Sequence, residues 1–252
     1  MINLEGKIVL VTGGSRGIGA AIVRAITGAG GAVVLHYGRS RDRAEALADE
    51  VGAGCCRILA ADLDDGAAVP GLWREAVAWK GRVDVLVNNA GIYVAAGVDA
   101  DFDVWAEVWA RTLRVNLVAA AHLCREAVRH FRERGGGAIV NVASRAAFRG
   151  DAPDYTHYAA SKAGMVALTR TIARGFGAEN ITAFVVAPGF VRTDMAEDYF
   201  RDHGEEAVVG EIPLGEMARP EDVANVVVFL ASGLARHATG ATIDVNGASY
   251  VR

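Results

Sequence analysis

Eight residues near the start of the chain, Thr12-Gly13-Gly14-Ser15-Arg16-Gly17-Ile18-Gly19, narrow the possible folds more than any other segment. They stand between a β-branched run at 8–12 and a helical pattern at 19–28 with small residues on one face. Glycines here permit a tight strand-to-helix turn and let backbone N–H groups approach a pyrophosphate at a helix N-terminus. The spacing is Gly13-x-x-x-Gly17-x-Gly19, and the loop lacks the Lys-Ser/Thr ending of a nucleoside-triphosphate loop. A glycine cluster alone would serve any tight turn. The strand before it and the helix after it favour dinucleotide binding.

The alternation continues along the chain. Apolar runs at 33–37, 58–61, 83–88, 138–142, 181–187 and 243–245 read as strands, and helical patterns at 41–51, 72–79, 105–134, 158–176 and 220–232 separate them. This order predicts an α/β fold: a Rossmann-type doubly wound parallel sheet of about seven strands with helices on both faces. The strand runs are continuously apolar, as parallel strands covered on both faces should be. With 252 residues, 52% of them hydrophobic, and neither linker nor internal repeat, residues 1–252 are expected to form a single domain. The segment 190–216 is long for a connection and mixes Met195, Tyr199 and Phe200 with many acids. It follows Pro188-Gly189 at a strand end, so it is expected to be a substrate lid; a surface helix pair is the alternative.

Charge and cysteine usage exclude other classes. The net charge is -4, from 26 basic and 30 acidic residues, with no polybasic stripe to attract nucleic acid. Cys55, Cys56 and Cys124 are odd in number and lack zinc-ligand spacing, so neither a disulfide framework nor a metal site is expected. The start, MINLEGKIVLVTGG, is not a signal peptide, and no apolar run reaches membrane-spanning length. A cytoplasmic location is the expectation.

The cofactor's identity depends on what meets the 2′ position of its adenosine ribose. An acid there favours NAD and a basic residue NADP. The window after the second strand reads Leu35-His36-Tyr37-Gly38-Arg39-Ser40, with no acid before Asp42. Arg39, together with Arg16 in the glycine loop, is placed to hold a 2′-phosphate, and Ser40 to add a hydrogen bond. Tyr37 is grouped with them as cofactor-binding, and Asp62 and Leu63, after the third strand, are assigned to the adenine side. NADP(H) is therefore expected over NAD(H), although each arginine could also be ordinary solvated charge.

Tyr158 and Lys162 are spaced i, i+4 and share one helical face. A phenol ionises near ~10, and a lysine ammonium beside it should lower that value. The tyrosine could then give a proton to a carbonyl oxygen or take one from an alcohol. Ser144, just past a strand, could donate a hydrogen bond to the same oxygen.

These residues occur in company. TGGSRGIG at 12–19, NNAG at 88–91, Asn116 seven residues after Trp109, Ser144 after a strand, YAASK at 158–162 and Pro188-Gly189 with Thr193 stand in that order. The chain resembles the short-chain dehydrogenase/reductase family over essentially all of residues 4–252, and its texture is similar to 3-oxoacyl-acyl-carrier-protein reductases and their sugar- or ketone-reducing relatives. The resemblance implies catalytic roles for Asn116, Ser144, Tyr158 and Lys162, with Asn116 holding a water in a proton relay from Lys162. It implies that Lys162 also binds the nicotinamide ribose. Gly13, Ser15, Gly17, Ile18 and Gly19 would form the phosphate loop. Asn88 would tie the sheet, and Asn89, Ala90 and Gly91 would reach the cofactor. Pro188, Gly189, Val191 and Thr193 would face the nicotinamide. It also implies a homotetramer.

The expected activity is NADP(H)-dependent interconversion of a carbonyl and a secondary alcohol, on a ketone or 3-oxoacyl-type substrate. An NAD-dependent sugar or alcohol dehydrogenase and a non-catalytic dinucleotide sensor are the alternatives, with a methyltransferase more distant. Ser144 and Tyr158 are one residue further apart than in close relatives, which implies an insertion in 145–157. Tyr155 has Ala159 rather than lysine four residues on, so Tyr158 remains the acid. The ending has VNGA in place of VNGG. Tyr93, Phe148, Arg149, Tyr155, His157 and Met195 are expected around the substrate. Arg132 and Arg134 could dock an acidic carrier, but Glu179 and the eight acids against two arginines in 190–216 oppose that. The face Ala160, Ala163, Ala167 and the face Met165, Leu168, Ile172 suggest that one side of the helix meets the sheet and the other a partner, and the helix bearing Leu117, Ala121 and Leu123 looks similar.

Overall fold

A computed structural model describes residues 2–52, 54–194, 196 and 204–252. In its first half, β1 (Ile8–Val11), α1 (Gly17–Gly28), β2 (Ala32–Tyr37), α2 (Arg41–Val51), β3 (Cys56–Ala60), α3 (Val69–Lys80) and β4 (Val85–Asn88) follow one another. Then come α4 (Phe102–Leu113), a π-helical turn (Arg114–Val118), α5 (Ala119–Arg134) and β5 (Gly137–Val142). The short α6 (Ala146–Arg149) precedes α7 (Thr156–Phe176), β6 (Ile181–Pro188), α8 (Glu205–Gly210), α9 (Pro220–Ala231) and β7 (Thr242–Val245).

All seven strands are parallel, in the order β3-β2-β1-β4-β5-β6-β7. The order reverses between β1 and β4, and a crevice opens there at the carboxyl ends of the strands. Alternate β1 residues feed two cores. Val9 and Val11 pack with Ile22 and Ile26 of α1 and Val227 of α9. Ile8 and Leu10 pack with Trp73 of α3 and Leu123 and Phe131 of α5. This period-2 division is why central strands read as continuous apolar runs. The edges differ: β3 buries Cys56 and Leu59 but leaves Arg57 and Ala60 exposed, and β7 is half-buried throughout.

Local signals set the element ends. Asp101 caps α4 by accepting from the Asp103 N–H at 3.0 Å. Pro220 opens α9, and Asp222 accepts the Arg219 N–H at 2.7 Å. The helix expected at 105–134 starts earlier and is divided by the π turn, which holds the fully buried Asn116. Leu117 lies over Gly164 of its own chain, where a Cβ would stand 2.7 Å from Leu117 Cδ2. Ala160, Ala163 and Ala167 face outward. Among the described residues, no helix is long and apolar enough to cross a membrane.

One buried polar chain fastens the sheet beside the crevice. Asn88 Nδ2 donates to Asn141 Oδ1 at 2.8 Å, and Asn141 Nδ2 donates to Thr169 Oγ1 at 2.8 Å, so β4, β5 and α7 are joined. Asn141→Ala would remove two buried hydrogen bonds, leaving Asn88 with Cys124 Sγ and Thr169 with the Met165 carbonyl. It should lower the unfolding free energy in urea by roughly 1–3 kcal/mol; an unchanged transition midpoint would contradict this.

Candidate active site

A cleft of about 680 Å³ follows the carboxyl edge of the sheet. Its floor at one end is the glycine loop. Gly17 opens α1 at φ +52°, in the left-handed region, and no side chain caps the first turn of that helix. A Cβ on Gly19 would collide with the Gly13 carbonyl and stand 2.7 Å from Asn89 Nδ2. Asn89 Nδ2 already donates to the carbonyls of Thr12 and Gly13, at 3.0 and 3.1 Å. The loop is thus a backbone-lined cradle kept open by missing side chains, which fits a pyrophosphate.

Gly13, Ser15, Arg16, Gly17, Ile18, Gly19, Arg39, Ser40, Asp62, Leu63, Asn89, Ala90, Gly91, Pro188, Gly189, Val191 and Thr193 all line the cleft, as do Ser144, Tyr158 and Lys162. Tyr37 does not. It is 7% exposed and points into the core shared with Leu35 and Leu47. Strand alternation turns its neighbour His36 toward the cleft instead. His36 Nε2 lies 3.1 Å from the Ala61 carbonyl, and Nδ1 accepts the Gly13 N–H at 3.2 Å. Only the neutral ring with its proton on Nε2 satisfies both bonds. Burial accordingly lowers the pKa of His36. Its place in the window 35–40 was visible in the sequence, but its link to Gly13 was not.

At the other end, Tyr158 and Ser144 are joined by a hydrogen bond between their hydroxyls, and Ser144 Oγ accepts the Ala146 N–H at 3.1 Å. Lys162 is 3% exposed, and its Nζ donates to the Val142 carbonyl at 2.9 Å. The lysine was expected to lower the pKa of Tyr158. Burial instead pushes the phenol up to about 12, against the opposing pull of Ser144 and aided by the charge of Asp151. The same burial brings Lys162 down to about 8. The ammonium stands 5.7 Å from the centre of the Tyr158 ring, engaged with the backbone rather than the phenol oxygen.

Asn116 does not line the cleft. Its side chain clamps Ile92, accepting the N–H at 2.8 Å and donating to the carbonyl at 3.0 Å, and it donates to Ser161 Oγ at 3.2 Å. A Cβ on Gly91 would meet both Asn116 Oδ1 and Lys162 Nζ, at 3.3 and 3.5 Å, so the three positions are adjacent. Tyr155 stacks on Tyr93 with ring centres 3.8 Å apart, while Tyr93 meets Tyr158 edge-on at 4.7 Å. His157 is fully buried, with Nε2 2.8 Å from the Val94 carbonyl, and Phe148 stacks on Tyr250; neither lines the cleft. Met195, Tyr199 and Phe200 lie outside the described residues. Arg145, Asp151 and Glu211 line the reacting end, though the sequence did not single them out. Nothing in their spacing marks them, since the short α6 and the turn after α8 bring them together.

A doubly wound sheet with this loop and this tyrosine, lysine and serine is the equipment of a dinucleotide-dependent oxidoreductase acting on CH-OH or C=O groups. A family model described as Enoyl-(Acyl carrier protein) reductase matches residues 13–248. The 3-oxoacyl-[acyl-carrier-protein] reductase of Escherichia coli (strain K12) is 35% identical over 250 residues, 99% of this chain and 100% of that protein. The L-rhamnose 1-dehydrogenase (NAD(P)(+)) of Azotobacter vinelandii is 39% identical over 258 aligned positions, covering 98% of each chain. A solved structure from Beutenbergia cavernae, described as an NAD(P)-dependent gluconate 5-dehydrogenase with bound NADP, has a TM-score of 0.90 and 35% identity, covering 98% of this chain and 97% of its own. The chain belongs to the short-chain dehydrogenase/reductase family.

Lys162 makes the site costly to fold. Its pKa near 8 lies below the ordinary 10.5, so between those values the folded protein binds fewer protons than the unfolded one. The stability gained by shedding the proton is complete above pH 10.5 and lost as pH falls through about 8. Lys162→Met should therefore raise the melting temperature at pH 7 by a few degrees, on the order of 1–3 kcal/mol, with the gain shrinking toward pH 10.5. A lower melting temperature at pH 7 would show that the ammonium is not a burden.

Proposed function

We propose that the protein reduces a small ketone to a secondary alcohol with NADP(H), using Tyr158 as the acid. The observation that carries this reading is the Ser144–Tyr158 hydroxyl pair at the end of the cleft, with the buried ammonium of Lys162 behind it. Burial pushes the pKa of Tyr158 up to about 12, so the phenol carries its proton at neutral pH and has it to give when a carbonyl is bound. A reduced nicotinamide bound in this cleft would supply the hydride to the carbonyl carbon. Tyr158 gives its proton to the carbonyl oxygen, and Ser144 donates a hydrogen bond to that oxygen as negative charge develops. Lys162 favours the resulting phenolate by its charge, and Asn116 positions Ile92 and Ser161 around it.

Arg39 and Ser40 at the end of β2, with Arg16 across the loop, support NADP(H) over NAD(H), since no acid competes for the 2′ position. Arg43 pairs with Asp194 beside Arg16, which closes that end of the cleft with charge. A small substrate is favoured over a carrier-bound one because Glu179 neutralises Arg132 with two hydrogen bonds, the second 2.9 Å long. The segment 190–216 serves as the lid of this single domain. Its described parts line the cleft at Phe190, Thr193, Asp194 and Glu211, while Val208, Ile212 and Met217 pack into a small cluster of their own. The outward Ala160, Ala163 and Ala167 support self-association, expected as a tetramer.

Tyr158→Phe should cut kcat for ketone reduction by about 10²–10⁴-fold while leaving NADPH affinity, read by fluorescence titration, within a few-fold. Retained turnover would remove Tyr158 from the mechanism. Arg39→Asp should weaken NADPH about 10–100-fold relative to NADH. An unchanged NADPH-to-NADH ratio would defeat the 2′-phosphate assignment.

A further inference from the structure

The reacting end of the cleft carries more charge than a plain ketone requires. Arg145 directly follows Ser144 and is 7% exposed. Its guanidinium lies over the Phe190 ring, 4.6 Å from the centroid, and an Nη reaches Glu211 at 3.5 Å. Arg149 stands four residues on, hence on the same side of the chain's helical turn, and its Nη meets the same Glu211 oxygen at 3.1 Å. These side chains line the cleft together with Ser144 and Tyr158. Among the described residues, Lys162 and Asp151 also line this end; Asp151 feels the charges of both arginines and accepts hydrogen bonds from the Tyr93 hydroxyl at 3.3 Å and the Ala152 N–H at 2.9 Å.

We propose that Arg145 and Arg149 form an anion subsite, and that the ketone reduced here carries a carboxylate or phosphate that takes the place of Glu211 on the two guanidiniums. The proposal rests on the ketone-reductase reading and names its substrate class. A buried guanidinium needs an anionic partner, and the aromatic face of Phe190 holds this one in a fixed orientation. The planar fork suits carboxylate and phosphate oxygens. Glu211 is a displaceable occupant. Its side chain is 53% exposed, one of its oxygens serves both arginines, and it follows the end of the six-residue α8. Arg145 adjoins Ser144 in sequence and lines the same cleft, which puts the subsite at the reacting end.

The test measures NADPH-dependent kcat/KM for a short keto acid against its methyl ester, and for a phosphorylated hydroxyketone against the unphosphorylated compound. The anionic member of at least one pair should be preferred by about 10- to 100-fold, and the better pair identifies the anion. Arg149→Gln should bring the ratio of anionic to neutral substrate down toward one, through KM. Glu211→Gln should raise that ratio by removing the competing carboxylate. Neutral ketones reduced as well as their anionic partners, or a ratio indifferent to Arg149→Gln, would overturn the subsite and leave the reductase standing. If none of these ketones is reduced, the reductase reading falls and the subsite with it.

Discussion

The Lys162 ammonium, 3% exposed and bonded to a backbone carbonyl at 2.9 Å, dictates much of its surroundings. A cation out of water must find oxygen partners or lose its proton. Val142, which supplies the carbonyl, is the last residue of β5, and its position follows from the parallel register of β5 with β6. The turn of α7 that carries Ser161 and Lys162 must therefore face the sheet end, and both residues are buried. A Cβ on residue 91 would press on Asn116 Oδ1 at 3.3 Å and make ordinary contact with Nζ at 3.5 Å. Asn116 fastens the same loop from the π turn, where an extra residue breaks the regular helical ladder. The chemistry of one lysine thus bears on a strand end and a helix face, and the asparagine of a helical irregularity fastens the loop beside them.

The opposite end of the cleft is organised by a neutral group. His36 accepts from Gly13 and lies against Ala61, so it joins the glycine loop to β2 and to the chain leaving β3. A protonated imidazole could not accept the Gly13 N–H, and burial acts against protonation. Phosphate-cradling N–H groups need a loop of fixed shape, and here the shape is held by an uncharged ring rather than by an ion pair. The exposed cations Arg16 and Arg39 line the cleft beside this loop.

Much of this was legible in the sequence for a physical reason. Central strands are covered on both faces, so their apolar runs stand out, and the glycine loop and the Tyr158–Lys162 pair are local patterns that one helix or turn expresses whole. The parallel, doubly wound sheet and its strand count agree with the sequence reading. What escaped depends on side-chain direction or on distant segments. Tyr37 and His36 differ by one position, and only the strand's pleat decides which reaches the cleft. The break in the helix at 114–118 leaves no mark on apolar periodicity. Arg145, Asp151 and Glu211 meet only after α6 and α8 have folded against each other's surroundings, so no spacing in the chain announces them.

Burial acts on Tyr158 and Lys162 in opposite directions, and the two shifts together set the resting protonation states of the pair. Desolvation penalises whichever form is charged, so the phenol rises to about 12 while the ammonium drops to about 8. At neutral pH the pair consists of an intact phenol and an ammonium that still keeps its proton. Such a site holds a proton to give and a positive charge to receive the phenolate left behind. An oxygen gaining negative charge beside Ser144 meets a hydroxyl donor with a cation beyond it. Burial thus holds the Tyr158 proton in place at rest, and once that proton has gone the charge of the same Lys162 that burdens the fold favours the phenolate.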